Sequence, residues 1–250
     1  MKIIFNADDF GYCKGVNFGI IEACQNGLVS SASMMACMPG FEHAAELSKQ
    51  NPELKIGVHL TLSAGRSAGG VYKTITNDQG LFLPLRELEK RAVNCEIDMS
   101  EVEVEFEAQI QKIIAEGLKP DHFDSHHHTH NLPGIVDIFL RLAKKYTAGV
   151  RFYDKALLTG EYADVKTTSD FDSTFYGEKT AEDDLKELVG RHNGDSLEVM
   201  CHPAYLDHVL LETSSYNLNR VFELRTLTSP AIKAFLLEQG HELCSFSCIA

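Results

Sequence analysis

Short apolar runs alternate with segments of helical spacing along the whole chain, and this alternation constrains the fold more than any single motif. The runs fall at residues 2–7, 30–38, 54–62, 123–125, 150–153, 196–201 and 241–246. Between them apolar residues recur at helical intervals, as in Val16, Ile20 and Ala23, or Ile135, Phe139 and Leu142. Ile3-Ile4-Phe5 is apolar at consecutive positions, the mark of a strand buried on both faces. Strands that alternate with helices, with no strong linker between, predict a parallel sheet covered by helices. At 250 residues the expected α/β architecture is a single-domain, distorted (β/α) barrel of about seven parallel strands, similar in plan to a TIM barrel.

Three stretches depart from this rhythm. Residues 63–84 contain Gly65, Gly69, Gly70 and Gly80 without a strong period, and read either as a lid or substrate loop or as a plain flexible loop. Residues 156–177 are polar and irregular, and read as an insertion loop. Residues 100–117 alternate like a strand at Glu101-Val102-Glu103-Val104, yet Val102, Phe106, Ile110 and Ile113 keep helical spacing. Length, a Ser100/Glu103 capping box and the Gly117 stop decide for a helix whose glutamates are mostly a solvated face.

Titratable residues sit where the strands stop. Asp8-Asp9 follows the first run, His59 lies near the end of the third, Asp124 and His126-His127-His128-Thr129-His130 end the fourth, and His202-Pro203 ends the sixth. In a (β/α) fold these strand ends gather on one rim. Two adjacent carboxylates at the end of a buried strand are costly without positive charge nearby, and helix capping accounts for one of them at most. His59 alone reads as a hydrogen-bonded core residue; its placement beside the others raises it. If the fourth strand continues, Asp124, His126 and His128 share one face and His127 points away. The histidine run is internal, unlike a tag, and reads as a metal or catalytic site rather than a polar loop. An Asp with two His is a three-ligand set with open positions. One of two adjacent aspartates can bind the metal while the other takes the proton of an attacking water, and a histidine on the opposite wall can protonate a leaving amine. This describes hydrolysis of an amide or ester. Arg151 either orients an active-site carboxylate or makes a surface ion pair.

The formal net charge of −13 makes nucleic acid and anionic membranes poor partners. Seven cysteines, an odd number, do not form a disulfide framework and fit a reducing cytoplasm. Met1-Lys2 is followed by three apolar residues, too few for a signal-peptide core, so a cytoplasmic location is expected. No glycine-rich phosphate cradle or dinucleotide fingerprint is present.

Asn6-Ala7-Asp8-Asp9-Phe10-Gly11, Gly57-Val58-His59-Leu60-Thr61, Asp124-Ser125-His126-His127-His128 and Cys201-His202-Pro203 together resemble the YdjC-like carbohydrate deacetylases, whose members include chito-oligosaccharide deacetylases. The motifs span nearly the whole chain in the family's order. The resemblance implies a NodB-like distorted barrel and removal of an acetyl group from N-acetylglucosamine units of a small, soluble, β-linked oligosaccharide such as chitobiose. It also implies a place in chitin degradation, one divalent metal ion, given as magnesium, and often a homodimer. Carried over by position, Asp9, His59 and His126 resemble the metal ligands, Asp8 the general base and His202 the general acid. Asp124, His128 and Arg151 fall behind these groups or in the substrate pocket. The aromatic residues Tyr162, Phe171, Phe175 and Tyr176 of the 156–177 loop either stack a sugar or pack on the barrel.

Two positions depart from the family: Ala204 stands where Gly often follows His-Pro, and Thr129 where Val is frequent. Neither removes a ligand. An Asp/His/His set suits zinc or another transition ion better than magnesium, which prefers oxygen and water. A phosphoester or ureide hydrolase with the same metal is a second reading, disfavoured because no arginine-rich or glycine-rich phosphate site is visible. A non-catalytic metal- or sugar-binding protein is a third, and it needs neither Asp8 nor His202.

Overall fold

Residues 1–151 and 154–249 are described by the computed structural model. The elements run β1 (Lys2–Phe10), α1 (Lys14–Gln25), β2 (Ser31–Met34), α2 (Phe41–Gln50), β3 (Lys55–Leu60), α3 (Leu85–Val93), α4 (Met99–Ala115), β4 (His122–Ser125), α5 (Ile135–Tyr146) and β5 (Gly149–Val150). They continue with β6 (Asp170–Asp172), α6 (Glu182–Gly190), β7 (Ser196–Cys201), α7 (His208–Thr213), α8 (Leu218–Leu227), α9 (Pro230–Glu238) and β8 (Glu242–Leu243). The sheet order is β5-β4-β3-β2-β1-β7-β6, and every ladder between these strands is parallel. The short β8 pairs with Lys2 and Ile3 of β1, on the edge that β2 leaves free below Asn6. No ladder joins β5 to β6 among the described residues, so the barrel is distorted and open. A backbone bond from Val150 N–H to Lys166 O, at 2.8 Å, spans part of the gap.

β1 lies at the centre because its sequence can be buried on both sides. Its odd positions Ile3, Phe5 and Ala7 join Val58, Phe123, Leu197 and Val199 in the main apolar core. Its even positions change character toward the rim, from the apolar Ile4 to the polar Asn6 and Asp8. Asn6 and Asp8 share the barrel interior with Ser33, His59, His122, Asp124 and Glu198, all buried and mutually hydrogen-bonded or ion-paired. Barrel interiors are usually filled by branched apolar residues. Here the interior is a polar network whose members are hydrogen-bonded or ion-paired, with only Asn6 Oδ1 and Glu198 Oε2 among these residues left without a partner.

Local differences from the sequence reading have simple causes. The last expected strand shrinks to β8, and the fifth ends at Val150; Phe152 and Tyr153 lie outside the described residues. β6 forms inside 156–177, paired with β7 over Asp170 to Asp172, too short to carry a legible period. α4 is a helix, but Asp98 caps it, accepting the Ser100 N–H at 2.9 Å, in place of a Ser100/Glu103 box. Its glutamates are not all solvated. Glu105 is fully buried and accepts the Ala68 and Gly69 N–H groups at 2.9 Å, and Glu101 accepts those of Lys73 and Thr74. Two carboxylates thus tie the 63–84 segment to α4. All seven cysteines are free thiols, and no described helix is long and apolar enough to cross a membrane.

Candidate active site

Backbone geometry brings both aspartates to the rim. Alternation along a strand would send Asp8 and Asp9 to opposite faces. The register of β1 slips between Ala7 and Phe10, and Asp9 adopts φ +67°. This left-handed step turns its side chain toward the one Asp8 already faces, at a backbone cost of about 1–2 kcal/mol. A similar device follows β4. The strand stops at Ser125, and His126–Asn131 form a 3₁₀ turn in which His127 and His128 have φ of 55° and 52°. The strand alternation expected for Asp124, His126 and His128 therefore ends before His126. Ser125 Oγ causes the break: it accepts the His130 N–H at 3.0 Å and meets His130 Nδ1 at 2.6 Å, closing the turn on itself.

Three donors converge. His126 Nδ1 lies 2.9 Å and His59 Nε2 3.5 Å from Asp9 Oδ1, and the three donor atoms sit within 4.8 Å of one another. Asp124 Oδ1 holds His59 Nδ1 at 2.8 Å, which leaves Nε2 to face the other two. Asp8, His59 and Asp124 form a second convergent group, but Arg151 already fills it. Arg151 donates to both Asp8 oxygens and to Glu198 Oε1, each at 2.7 Å, and forms an ion pair with Asp124 Oδ2 at 3.0 Å. Asp9, His59 and His126 are thus the set whose donors and geometry fit a divalent metal ion.

The charges fit the same assignment. Burial pushes the Asp9 carboxyl upward, but His126 and Arg220 outweigh it and hold Asp9 well below the ordinary range. Burial likewise raises Asp8, and Arg151 brings it below the usual value, so Asp8 is ionised at neutral pH. Burial lowers His59, yet the Asp124 and Asp8 carboxylates push it up to about 10. Burial holds His202 down to about 3, against the opposing pull of Asp8. Behind it, burial raises Glu223 to about 8. His202 Nε2 lies 3.9 Å from Asp8 Oδ2, and its Nδ1 3.9 Å from Glu223 Oε1. Glu223 also accepts the His202 backbone N–H and the Tyr216 hydroxyl.

These groups open into a cleft of about 490 Å³. Asp8, Asp9, His59, His126 and His202 all line it. His128 lines it too, its ring 6.2 Å edge-on from Phe171, while Asp124 and Arg151 are buried behind. Tyr176 and Tyr216 stack at 3.8 Å on the His202 side. Ser63 and Ala64 bring the start of the 63–84 segment to the mouth. Sequence reasoning missed Glu198, Tyr216, Arg220 and Glu223. Glu198 had a signal, a charge within an apolar strand; Arg220 and Glu223, three apart on α8, carry no local mark of burial.

Comparison with known proteins gives the family and the fold. The profile of the YdjC-like protein family matches residues 2–238. A carbohydrate deacetylase of Geobacillus stearothermophilus is 41% identical over 244 residues, covering 97% of this chain and 96% of its own. Another, of Clostridium beijerinckii, is 38% identical over 251 residues, covering 100% of both. The crystal structure of a candidate cellobiose-phosphate cleavage protein from Enterococcus faecalis superposes with TM-score 0.89 at 32% identity, covering 98% of this chain and 97% of that one. A family 4 carbohydrate esterase from Streptomyces lividans, solved with acetate, shares the fold at TM-score 0.53 and 14% identity, covering 100% of this chain and 96% of that one.

Proposed function

This chain belongs to the YdjC-like protein family, and on that premise we propose that it is a metal-dependent hydrolase that removes the acetyl group from N-acetylglucosamine units of a small, chitobiose-like oligosaccharide. The observation that carries the reading is the convergence of Asp9, His59 and His126 in a cleft where Asp8 and His202 stand side by side. The relatives named carbohydrate deacetylases support the bond and the substrate class. The exposed Tyr176 ring, backed by Tyr216, offers a flat face for a pyranose.

Asp9, His59 and His126 would hold the ion, and two imidazoles with one carboxylate favour zinc or another transition metal over magnesium. The ion supplies Lewis acidity toward water and the acetyl oxygen. Asp8 takes the proton of the attacking water; Arg151 keeps it ionised and aimed, at some loss of basicity. His202 is neutral at pH 7, so it acts as an acid only in relay. Its Nε2–H passes to the amine nitrogen as the C–N bond breaks, while Nδ1 takes the proton of the Glu223 carboxyl. The proton on Asp8 then returns through His202 to Glu223; acetic acid and the free amine leave, and the acid gives up its remaining proton to the amine or to solvent. Both separations are 3.9 Å, and the relay requires these contacts to shorten as substrate binds.

The test is acetate release from acetylated mono- and disaccharides by protein stripped of metal and then given magnesium, zinc, cobalt or nickel. Release that returns with a divalent ion supports the reading. Metal-loaded protein that frees no acetate from any acetylated glycoside overturns it.

A further inference from the structure

We propose that Ser33 and His122 are positioning residues for the metal site, fixing Asp124 and through it the imidazole of His59. The proposal rests on the reading of Asp9, His59 and His126 as ligands. It concerns residues that line no part of the cleft.

A continuous hydrogen-bonded path crosses the barrel interior. Asp121 Oδ1 meets His122 Nδ1 at 2.7 Å, His122 Nε2 meets Ser33 Oγ at 3.0 Å, Ser33 Oγ donates to Asp124 Oδ2 at 2.8 Å, and Asp124 Oδ1 holds His59 Nδ1 at 2.8 Å. Counting hydrogens gives the path a direction. The Ser33 hydroxyl carries one proton. Asn6 Nδ2 already donates to Ser33 Oγ at 2.7 Å. The Ser33 proton goes to Asp124 Oδ2, a buried carboxylate oxygen 2.8 Å away. That bond and the Arg151 contact fix the Asp124 carboxylate on one oxygen, so the other oxygen holds His59 in a single ring orientation with Nε2 toward Asp9.

The interior is shaped to admit this path. His122 is fully buried and stacks on Phe246 at 4.1 Å. A Cβ on Gly57 would lie 2.2 Å from the His122 ring, so β3 carries no side chain where the imidazole passes. An aliphatic residue would fill the same space without the desolvation cost of an imidazole and a hydroxyl. What the polar pair adds is orientation of the group behind a ligand, an effect that metal affinity reports.

The experiment measures zinc affinity of the full chain by competition with a chromophoric chelator, and the visible spectrum of its cobalt(II) form. Ser33→Ala and His122→Leu are expected to weaken zinc by roughly 10–100-fold and to shift the cobalt bands. The double variant should be no worse than the weaker single, since both act through one bond. His122→Gln, whose side-chain amide can donate to Ser33, should recover most of the affinity. Ser31→Ala is the control: Ser31 is buried on the same strand, and its hydroxyl meets no partner among the described residues. The proposal is overturned if Ser33→Ala binds zinc as the wild type does with an unchanged cobalt spectrum, whatever its melting temperature, or if Ser31→Ala is equally impaired. Should His122→Leu not fold, Ser33→Ala, which deletes one oxygen, decides alone. A wild-type chain that takes up no divalent ion would overturn the ligand reading itself, and this inference with it.

Discussion

Arg220 Nη2 lies 2.6 Å from Asp9 Oδ2, although 211 residues separate them in sequence. Arg151 clamps the adjacent Asp8 from another side of the barrel. Two consecutive carboxylates therefore answer to two different guanidinium groups, and this division keeps both ionised side by side in a buried site. Asp9 keeps Oδ1 for the two imidazoles because Arg220 occupies Oδ2.

Removal of Arg220 should separate its electrostatic role from any catalytic one. Arg220→Ala leaves a buried Asp9 carboxylate without its cation, and breaking such a pair costs about 3–5 kcal/mol. The metal-free variant should melt well below the wild type. Added zinc should then raise its melting temperature by more than it raises that of the wild type, because the ion replaces the lost positive charge. Thermal melts with and without zinc check this.

Asp8→Asn should keep the fold and the metal while acetate release falls by roughly 10²–10⁴-fold, the usual worth of a positioned base. Arg151→Lys should lose activity as well, since an ammonium cannot reproduce the two parallel bonds to Asp8. Initial rates on chitobiose, with metal content assayed in parallel, distinguish loss of chemistry from loss of the ion.

Metal uptake should expel a proton. His59 is pushed up to about 10 and must be neutral to bind a metal, so proton and ion compete for it. Apparent affinity should rise with pH across the neutral range and level off only near that value. In the metal-free protein the same raised pKa stabilises the fold fully below the ordinary value of 6.5 and ceases to do so as pH climbs through about 10. Calorimetric titration in buffers of differing ionisation enthalpy counts the proton released.

Glu223 should set the alkaline limb of the rate. Its carboxyl, raised to about 8, must be protonated to recharge His202, so kcat should decline above that pH. Glu223→Gln removes the titrating group, and its lower rate should show no such limb. A pH profile of kcat for both proteins makes the comparison.

Part of this site could be read from the chain. Asp9, His59 and His126 stood out because a titratable residue at the end of an apolar strand has a single economical home, the common rim of a parallel barrel. The left-handed turn at Asp9 left no sequence mark, since Asp tolerates that conformation without glycine. The break after Ser125 was hidden by the histidine run, which fits strand alternation equally well. Arg220 and Glu223 were invisible for a different reason: on a helix with charged residues around it, nothing local says which face is buried. The polar barrel interior was likewise concealed, because Ser33 in 30–38 and His122 beside Asp121 look like ordinary strand-edge residues.

The most direct test of the central claim is anomalous diffraction from crystals of the zinc- or cobalt-loaded protein. The account predicts one strong peak at the rim, within bonding distance of Asp9, His59 and His126 and open to the cleft that holds Asp8 and His202. A peak elsewhere, or no ordered ion with that triad intact, would contradict it.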